Sequence, residues 1–414
     1  PGLPFIFGRQ DSDFRFKAQQ NNWLVTSNSL TTPYLQVRSE DISLKANVEP
    51  FRDFRIQLDA KKTTSGSFRE IFRDTIPGDQ VGFASLSPSR SGNYNISFLA
   101  IKTSFIKGNN SINSPIFEQF INNLDIIQGK LGAVTGYNFE SRTQDVLIPA
   151  FIAAYSGQEA KTQSLSPFPA LPFPNWRIDY NGLSKLPGLK EVFQSISIKH
   201  SYKSTFSIMN FTNSLEYGVN DGISLDFNVE DYNRDYFASI QNESGEIIPI
   251  YIISQVMITE QFAPLIGINF KTNKRLGVNF DYKKKRDIGL NLSNTQVTEV
   301  NNTDFAFEIE YTKDKFKLPW KFQGATLVLE NDVQFRLNFN IRNTETIQRK
   351  IDEGSTITNG NLNFQLRPTI SYVVSEKLFL SFYFDRTINE PKLSSTYARS
   401  TTRFGVQVRF SLAQ

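Results

Sequence analysis

Cysteine is absent from the 414 residues, methionine occurs twice and histidine once. Without thiols there is no disulfide framework, no zinc-thiolate site and no cysteine nucleophile. The one histidine, His200, follows Ile196 and Ile198 on an even-numbered apolar face and reads as structural. No serine-nucleophile motif or acidic dyad accompanies it, so no catalytic residue and no cofactor are expected. Long apolar runs are missing as well. No stretch approaches the ~18 consecutive apolar residues of a transmembrane helix, and mean hydropathy is −0.34. Charge of one sign is also lacking: 45 Lys and Arg face 41 Asp and Glu, a net charge of +4. That is too balanced for a chain that neutralises many phosphates, so no nucleic-acid partner is implied. Residues 231–235 (DYNRD) imitate the start of a calcium loop, but Tyr236 stands at the sixth position and Asn242 at the twelfth. The segment therefore fails as an EF-hand and no metal site is expected, with a looser calcium site in that loop as the alternative.

What the chain has is aromatic residues, 37 Phe, 15 Tyr and 3 Trp, set in an alternating pattern. In residues 332–342, Val333, Phe335, Leu337, Phe339 and Ile341 share one parity, and Gln334, Arg336, Asn338, Asn340 and Arg342 share the other. Period two over this length means β. An Arg on a lipid face costs about 2–4 kcal/mol at the bilayer midplane, so the apolar row reads as lipid-facing and the polar row as lumen-facing. The split recurs in 361–371, where Phe364 and Leu366 alternate with Gln365 and Arg367, and in 378–385. It returns in the last strand, 402–410, where the apolar residues after Gly405 are even-numbered.

Further strands are predicted over 41–48, 52–62, 93–105, 192–208, 250–271 and 305–311, which makes about eleven spanning strands. The even apolar parity from Leu276 to Leu292 predicts one long strand over 275–299, although a three-residue loop there would preserve parity too, with the basic run 283–286 forming a solvated rim and a ligand site as its alternative. Short parity-preserving turns fit at 272–274, 375–377 and 49–51, and longer connections at 66–90, 209–249, 349–360 and 388–400. Short periplasmic turns and long outer loops are the asymmetry of outer-membrane barrels, and aromatics such as Tyr282, Tyr311, Trp320 and Tyr372 fall where interfacial girdles lie. The fold class is thus all-β, a transmembrane antiparallel β-barrel segment in the outer membrane.

From 107 to 190 the alternation stops. Ser114-Pro115 is an N-cap followed by an N1 proline, and Ile116, Phe120, Leu124, Ile127 and Leu131 recur at helical spacing. A second helix fits 145–155, ending at Gly157. The Pro/Phe tract 166–174 reads as a rigid strap against the barrel mouth, with a polyproline ligand as the alternative. The chain therefore divides into an entry segment (1–38), barrel strands (39–106), a partly helical insertion forming a periplasmic or lumenal cap (107–190) and barrel strands to the C-terminal closing strand (191–414). Glu260 and Pro264 break the apolar parity of their strand. A carboxylate does not belong in lipid and proline removes a ladder hydrogen bond, so they mark a bulge near the rim or a contact with a partner or seam. With Pro1 first and no charged-then-apolar leader, the beginning reads as the interior of something longer.

Residues 1–8 (PGLPFIFG), 47–56 (NVEPFRDFRI), 145–155 (DVLIPAFIAAY), 174–178 (PNWRI), 182–187 (GLSKLP) and 258–267 (ITEQFAPLIG) carry a resemblance. In this order they resemble the C-terminal region of the SprA (Sov) family, outer-membrane translocons of the Bacteroidetes type IX secretion system. The resemblance implies a portion of a giant barrel that exports folded cargo and supports gliding motility. Its implied partners are the rest of the same polypeptide, a PorV-like shuttle barrel, a periplasmic plug protein, secreted cargo and the lipid bilayer. The end of the chain also resembles the signal read by the barrel-assembly machinery, in Gly405, Val408 and Phe410. It departs from that signal at Phe404, where a polar residue is expected, and in 411–414 beyond the aromatic. Two rival readings remain: a closed porin-like or transporter barrel of about a dozen strands, and a soluble β-sandwich adhesin.

Overall fold

The alternating segments pair antiparallel into one large sheet, and the fold is all-β. The computed structural model describes residues 3–6, 11, 14–75, 82–108, 110–214, 241, 245, 247–322, 324–375, 377–393 and 396–410. In chain order the strands are β1 (Tyr34–Phe51), β2 (Phe54–Asp74), β3 (Phe83–Ser97), β4 (Asn175–Tyr180), β5 (Phe193–Asn213), β6 (Tyr251–Ile252), β7 (Gln255–Thr272) and β8 (Leu276–Asn291). They continue as β9 (Gln296–Lys313), β10 (Lys317–Phe322), β11 (Ala325–Val328), β12 (Val333–Lys350), β13 (Gly354–Ser375), β14 (Leu378–Pro391) and β15 (Arg399–Phe410). The helices are α1 (Leu3–Ile6), α2 (Phe14–Gln20), α3 (Pro115–Thr135) and α4 (Gln144–Ser156).

The sheet runs β1-β2-β3-β5-β7-β8-β9-β12-β13-β14-β15, eleven positions in sequence order, with β10 and β11 forming a separate hairpin. Among the described residues β1 pairs only with β2 and β15 only with β14, so both ends of the path are free edges. The short β4 pairs with β2 on one side and β5 on the other, as β3 does. It prolongs the line of β3, and Asn175 donates to Ser97 Oγ at 3.2 Å across the gap. The stretch assigned to the insertion, 107–190, therefore contains a strand of the large sheet, and the chain actually leaves the sheet over 98–174.

The connections after β1, β7 and β13 are short, at 52–53, 273–275 and 376–377. A two-residue hairpin should flip the apolar parity. Register shifts by one between Val48 and Phe51, and again between Val373 and Ser375, cancelling the flip and preserving the parity seen in the sequence. The single strand expected over 275–299 is instead β8 and β9. Asn291 Oδ1 accepts from the amides of Ser293 (3.0 Å) and Asn294 (3.3 Å), and Thr295 has φ 50°, which together fold the chain back.

The long connections placed at 66–90, 349–360 and 388–400 are largely strand. β2 runs on to Asp74, β12 and β13 are separated only by 351–353, and β14 reaches Pro391. These parts are rich in Thr, Ser, Gly and Asn on both parities, so hydropathy gave no alternation to read. The connection at 209–249 begins only after β5 ends at Asn213, and most of it lies outside the described residues. The strand expected over 93–105 ends at Ser97, where the chain turns away through a 3-10 turn, Ile101–Thr103.

Both helices of the insertion form where their signals lie. Ser114 Oγ accepts from Phe117 N at 3.2 Å, Pro115 sits at the start of α3, and Gly136 (φ 77°) ends it. α4 is apolar on all sides because it is enclosed by α3 and the sheet. The shared core joins Phe120, Leu124, Ile127, Leu131 and Phe151 to Tyr94, Ile96, Phe206, Ile208, Val256, Ile258, Ile288, Leu290 and Val297 of the strands. By register this is the face that also carries Phe280, Phe305 and Phe339, at the end of the sheet away from the short turns.

Candidate functional site

The half of the sheet nearest the short turns presents two chemically opposite faces. Val333, Phe335, Leu337, Phe339 and Ile341 pair with Lys313, Tyr311, Ile309, Phe307 and Phe305 on β9, and with Tyr372, Ile370, Pro368, Leu366 and Phe364 on β13. Phe280, Phe305, Phe339 and Phe364 form a ladder of edge-to-face contacts across four strands, with centroids 5.1, 5.9 and 5.4 Å apart. Large apolar side chains on this face stay open to the surroundings, among them Ile266, Ile370, Phe382, Val406 and Val408. A contiguous apolar face of this extent marks an interaction surface.

Two aromatic belts bound this band. Near the short turns, Phe51 stacks on Phe54 at 4.7 Å with Tyr180 edge-on, Phe193 meets Phe270, and Phe335 meets Tyr311 and Phe316. At the other boundary, Trp176 stacks on Tyr202 at 4.4 Å, Tyr202 packs on Phe262 at 5.0 Å, and Phe262 meets Phe105 of the insertion at 5.4 Å. His200 belongs to this belt. It lies between Trp176 and Phe262, and its Nδ1 donates to the Leu265 carbonyl at 2.7 Å.

On the opposite face the polar row is internally neutralised. Arg336 lies 3.4 Å from both Glu308 and Glu310, while Arg342 and Asn340 each reach Asp304 at 2.8 Å. Gln334 and Asn338 stand opposite Thr312 and Glu308 in the same row. Gln365 donates to Asp385 at 3.3 Å, and Arg367 lies over the Tyr383 ring. Gly405 shares this face. A Cβ there would come within 2.9 Å of the Tyr383 ring, so glycine lets Tyr383 lie across β15. Val408 and Phe410 point the other way, opposite Leu380 and Leu378. The basic run 283–286 is not a rim. It sits within β8, with Lys285 pairing Asp287 (2.7 Å) on the polar face and Lys284 and Arg286 turned to the insertion.

Glu260 lies on the apolar parity because the insertion covers it there. Only 2% exposed, it pairs with Arg286 at 2.9 Å and accepts from Tyr202 (2.9 Å) and Ser104 (2.7 Å). Arg286 in turn donates to the Thr103 carbonyl and hydroxyl at 3.2 and 3.0 Å. Pro264 falls within 263–265, where the register with β8 jumps by two. The same device recurs twice. Glu299 pairs with Arg349 at 2.9 Å and accepts from Tyr155 of α4 at 2.8 Å, while Arg349 also donates to Ser111 O. Glu70 pairs with Arg15 of α2. Burial, aided by the neighbouring Glu299 carboxylate, pushes the Tyr155 phenol well above its ordinary range. The signal for all three pairs was a charge on the apolar parity.

Among the described residues no group of three or more His, Asp or Glu is arranged to hold a metal, and the calcium-like segment 231–242 lies outside them. No described helix is long and apolar enough to cross a membrane. No protein-family model matches the chain, and no curated protein matches it.

Proposed function

We propose that this chain is a wall segment of a giant outer-membrane, protein-conducting channel that exports folded cargo by type IX secretion and supports gliding motility. One observation carries the membrane part of this reading: an apolar band held between two aromatic belts, with an ion-paired polar face behind it. On β5 the belts are marked by Phe193 and Tyr202, nine residues apart, or about 30 Å at ~3.3 Å per residue. A transmembrane strand needs about 9–11 residues, and aromatic girdles flanking a band ~25 Å tall are its hallmark. The polar face then lines a wet lumen, neutral enough not to hold passing cargo by charge.

Strands of 21 and 22 residues are twice as long as a bilayer requires. Their far halves stand beyond the membrane, with the short turns in the periplasm, and there the insertion replaces lipid as the cover of the apolar parity. A body packed on that parity lies outside the wall, so this reading moves the insertion from the expected lumenal or periplasmic cap to the outer flank of the wall. The two free edges favour a segment completed by further strands over a small closed barrel, whose first and last strands would pair. The type IX assignment rests on the resemblance of the six separated motifs. On it, the rest of the polypeptide completes the wall, and the shuttle barrel, the plug and cargo bind the assembled pore.

An antibody to residues 402–414 should detect an outer-membrane polypeptide several times heavier than 47.2 kDa. A stable species of 47.2 kDa that folds with no companion would sink the translocon reading and leave the small barrel.

A further inference from the structure

The insertion meets the apolar band along a defined edge, and that edge is itself apolar and basic. Immediately after the buried Thr103 and Ser104, Phe105 and Ile106 are 52% and 49% exposed. Phe105 touches Phe262, which is in register with Lys284 on one side and Tyr202 on the other. The returning strap carries a second exposed pair: Leu171 is 75% and Phe173 42% exposed, and Phe173 N donates to Ser97 O, which is in register with Thr205, three residues along β5 from Tyr202. Two segments far apart in sequence thus carry exposed large apolar side chains close to the far boundary of the band.

One lysine packs on the Phe105–Ile106 pair and two flank it in the chain. Lys284 lies 4.6 Å over the Phe105 ring and its Nζ donates to the Ser104 carbonyl. Lys102 precedes the pair in the 3-10 turn and Lys107 follows it, both exposed. Among the described residues none of the three lysines forms an ion pair with a carboxylate. Glu260, which faces the same corner, is taken up by Arg286, Tyr202 and Ser104. Glu159 and Lys161, on the turn after α4 that abuts Lys102 through Gly157, are exposed and of opposite sign. Lys284, on the apolar parity, thus holds its ammonium at the edge of the band beside the exposed pair, where a headgroup phosphate would lie. Exposed Phe, Ile and Leu beside it suit the acyl boundary.

We propose that Lys102, Lys107 and Lys284, with Phe105, Ile106, Leu171 and Phe173, form a docking surface for the phosphate headgroups of anionic lipid at the bilayer surface away from the short turns. The inference rests on the membrane reading above. The insertion is then more than a cover for the far half of the wall. It seats on the bilayer and fixes how deep the wall sits, taking lipid phosphate between the lysines while the apolar side chains dip below.

The test uses the intact polypeptide that carries this chain, purified in zwitterionic detergent and titrated with phosphatidylglycerol. A basic side chain at an anionic surface changes affinity about fivefold, so Lys102→Gln/Lys107→Gln/Lys284→Gln should weaken phosphatidylglycerol binding on the order of a hundredfold. The corresponding triple Arg variant should keep it. If loss of the Lys284 bond to Ser104 prevents folding, Lys102→Gln/Lys107→Gln alone should still weaken binding by roughly 25-fold. Unchanged affinity in either Gln variant overturns the proposal. So does displacement of the lipid by inorganic phosphate with no effect of Phe105→Ser/Ile106→Ser, which would make this a site for a free anion. Failure of the protein to embed in phosphatidylcholine vesicles would instead defeat the membrane reading itself. Embedding without preference for phosphatidylglycerol defeats only the docking surface.

Discussion

The two halves of the sheet are built from the same strands and continue one apolar face, yet that face meets different surroundings in each. Near the short turns it carries Phe280, Phe305, Phe339 and Phe364, partly open, with an exposed cation, Arg386, in register with Leu366. Toward the other end the same rows continue into Glu299 and Arg349 on β9 and β12, and into Glu260 and Arg286 on β7 and β8. There the face is closed over by α3, α4 and the turn at 101–103. The difference shows what a charge on an apolar parity means in a two-faced sheet. Where protein covers the face, a charge becomes a directional clasp with a fixed partner; on the open face Arg386 stays at the surface. Apolar contact alone would let the insertion slide along the wall. A carboxylate that must meet one guanidinium and one phenol lets it dock in a single place.

The comparison breaks most sharply if one half of a clasp is removed. Glu299→Leu strands Arg349 as a buried charge and should cost about 3–5 kcal/mol, whereas Glu299→Leu/Arg349→Leu should be far milder. Protease cleavage within 98–174 of the membrane-embedded protein reads both, and equal cleavage of the single and double variants would mean that the pair does not hold the insertion. Next in size is the contrast within β12. Leu337→Arg places a cation in the middle of the open apolar band at about 2–4 kcal/mol and should block assembly into the membrane, while Asn338→Arg, on the polar face, should not. Assembly measured by heat-modifiable migration decides it, and equal outcomes would overturn the assignment of faces. The gentlest probe is alkali. With the Tyr155 phenol raised in the folded state, its contribution is fully present below pH ~10 and is lost as pH rises above that value. Protection of 98–174 against proteolysis should therefore fall in alkali in wild type and change less in Tyr155→Phe, with the open half of the sheet unaffected.

Much of the fold can be read from the chain. The strands carrying Leu337 and Phe364, the eleven positions of the sheet, the N-cap at Ser114 and the helix end at Gly157 all follow from period and capping chemistry. Strand length does not. In 63–67 (TTSGS) both parities are polar or small, and in 354–361 (GSTITNGN) Ile357 is the one large apolar residue, so hydropathy falls silent while the ladder of backbone hydrogen bonds continues. The candidate site was partly visible: Glu260 stood out against its apolar row. Glu299, Arg349, Glu70 and Arg286 did not, since each sits near a segment that looks like a loop or a rim when read alone.

By itself the sequence determined that the sheet has two faces, which residues lie on each, and where helices interrupt it, because these depend on neighbours two to four positions away. Tertiary structure alone decided what covers the apolar face at each height, that β4 resumes the line of β3 after 98–174, and which Glu meets which Arg. Those pairings join residues 26 to 55 positions apart (Glu260–Arg286, Glu299–Arg349, Arg15–Glu70) and link residues 103 and 155 of the insertion to strands more than a hundred positions away. No local periodicity encodes such partners, because burial makes a charge tolerable only once the opposite charge has been brought to it by the rest of the fold.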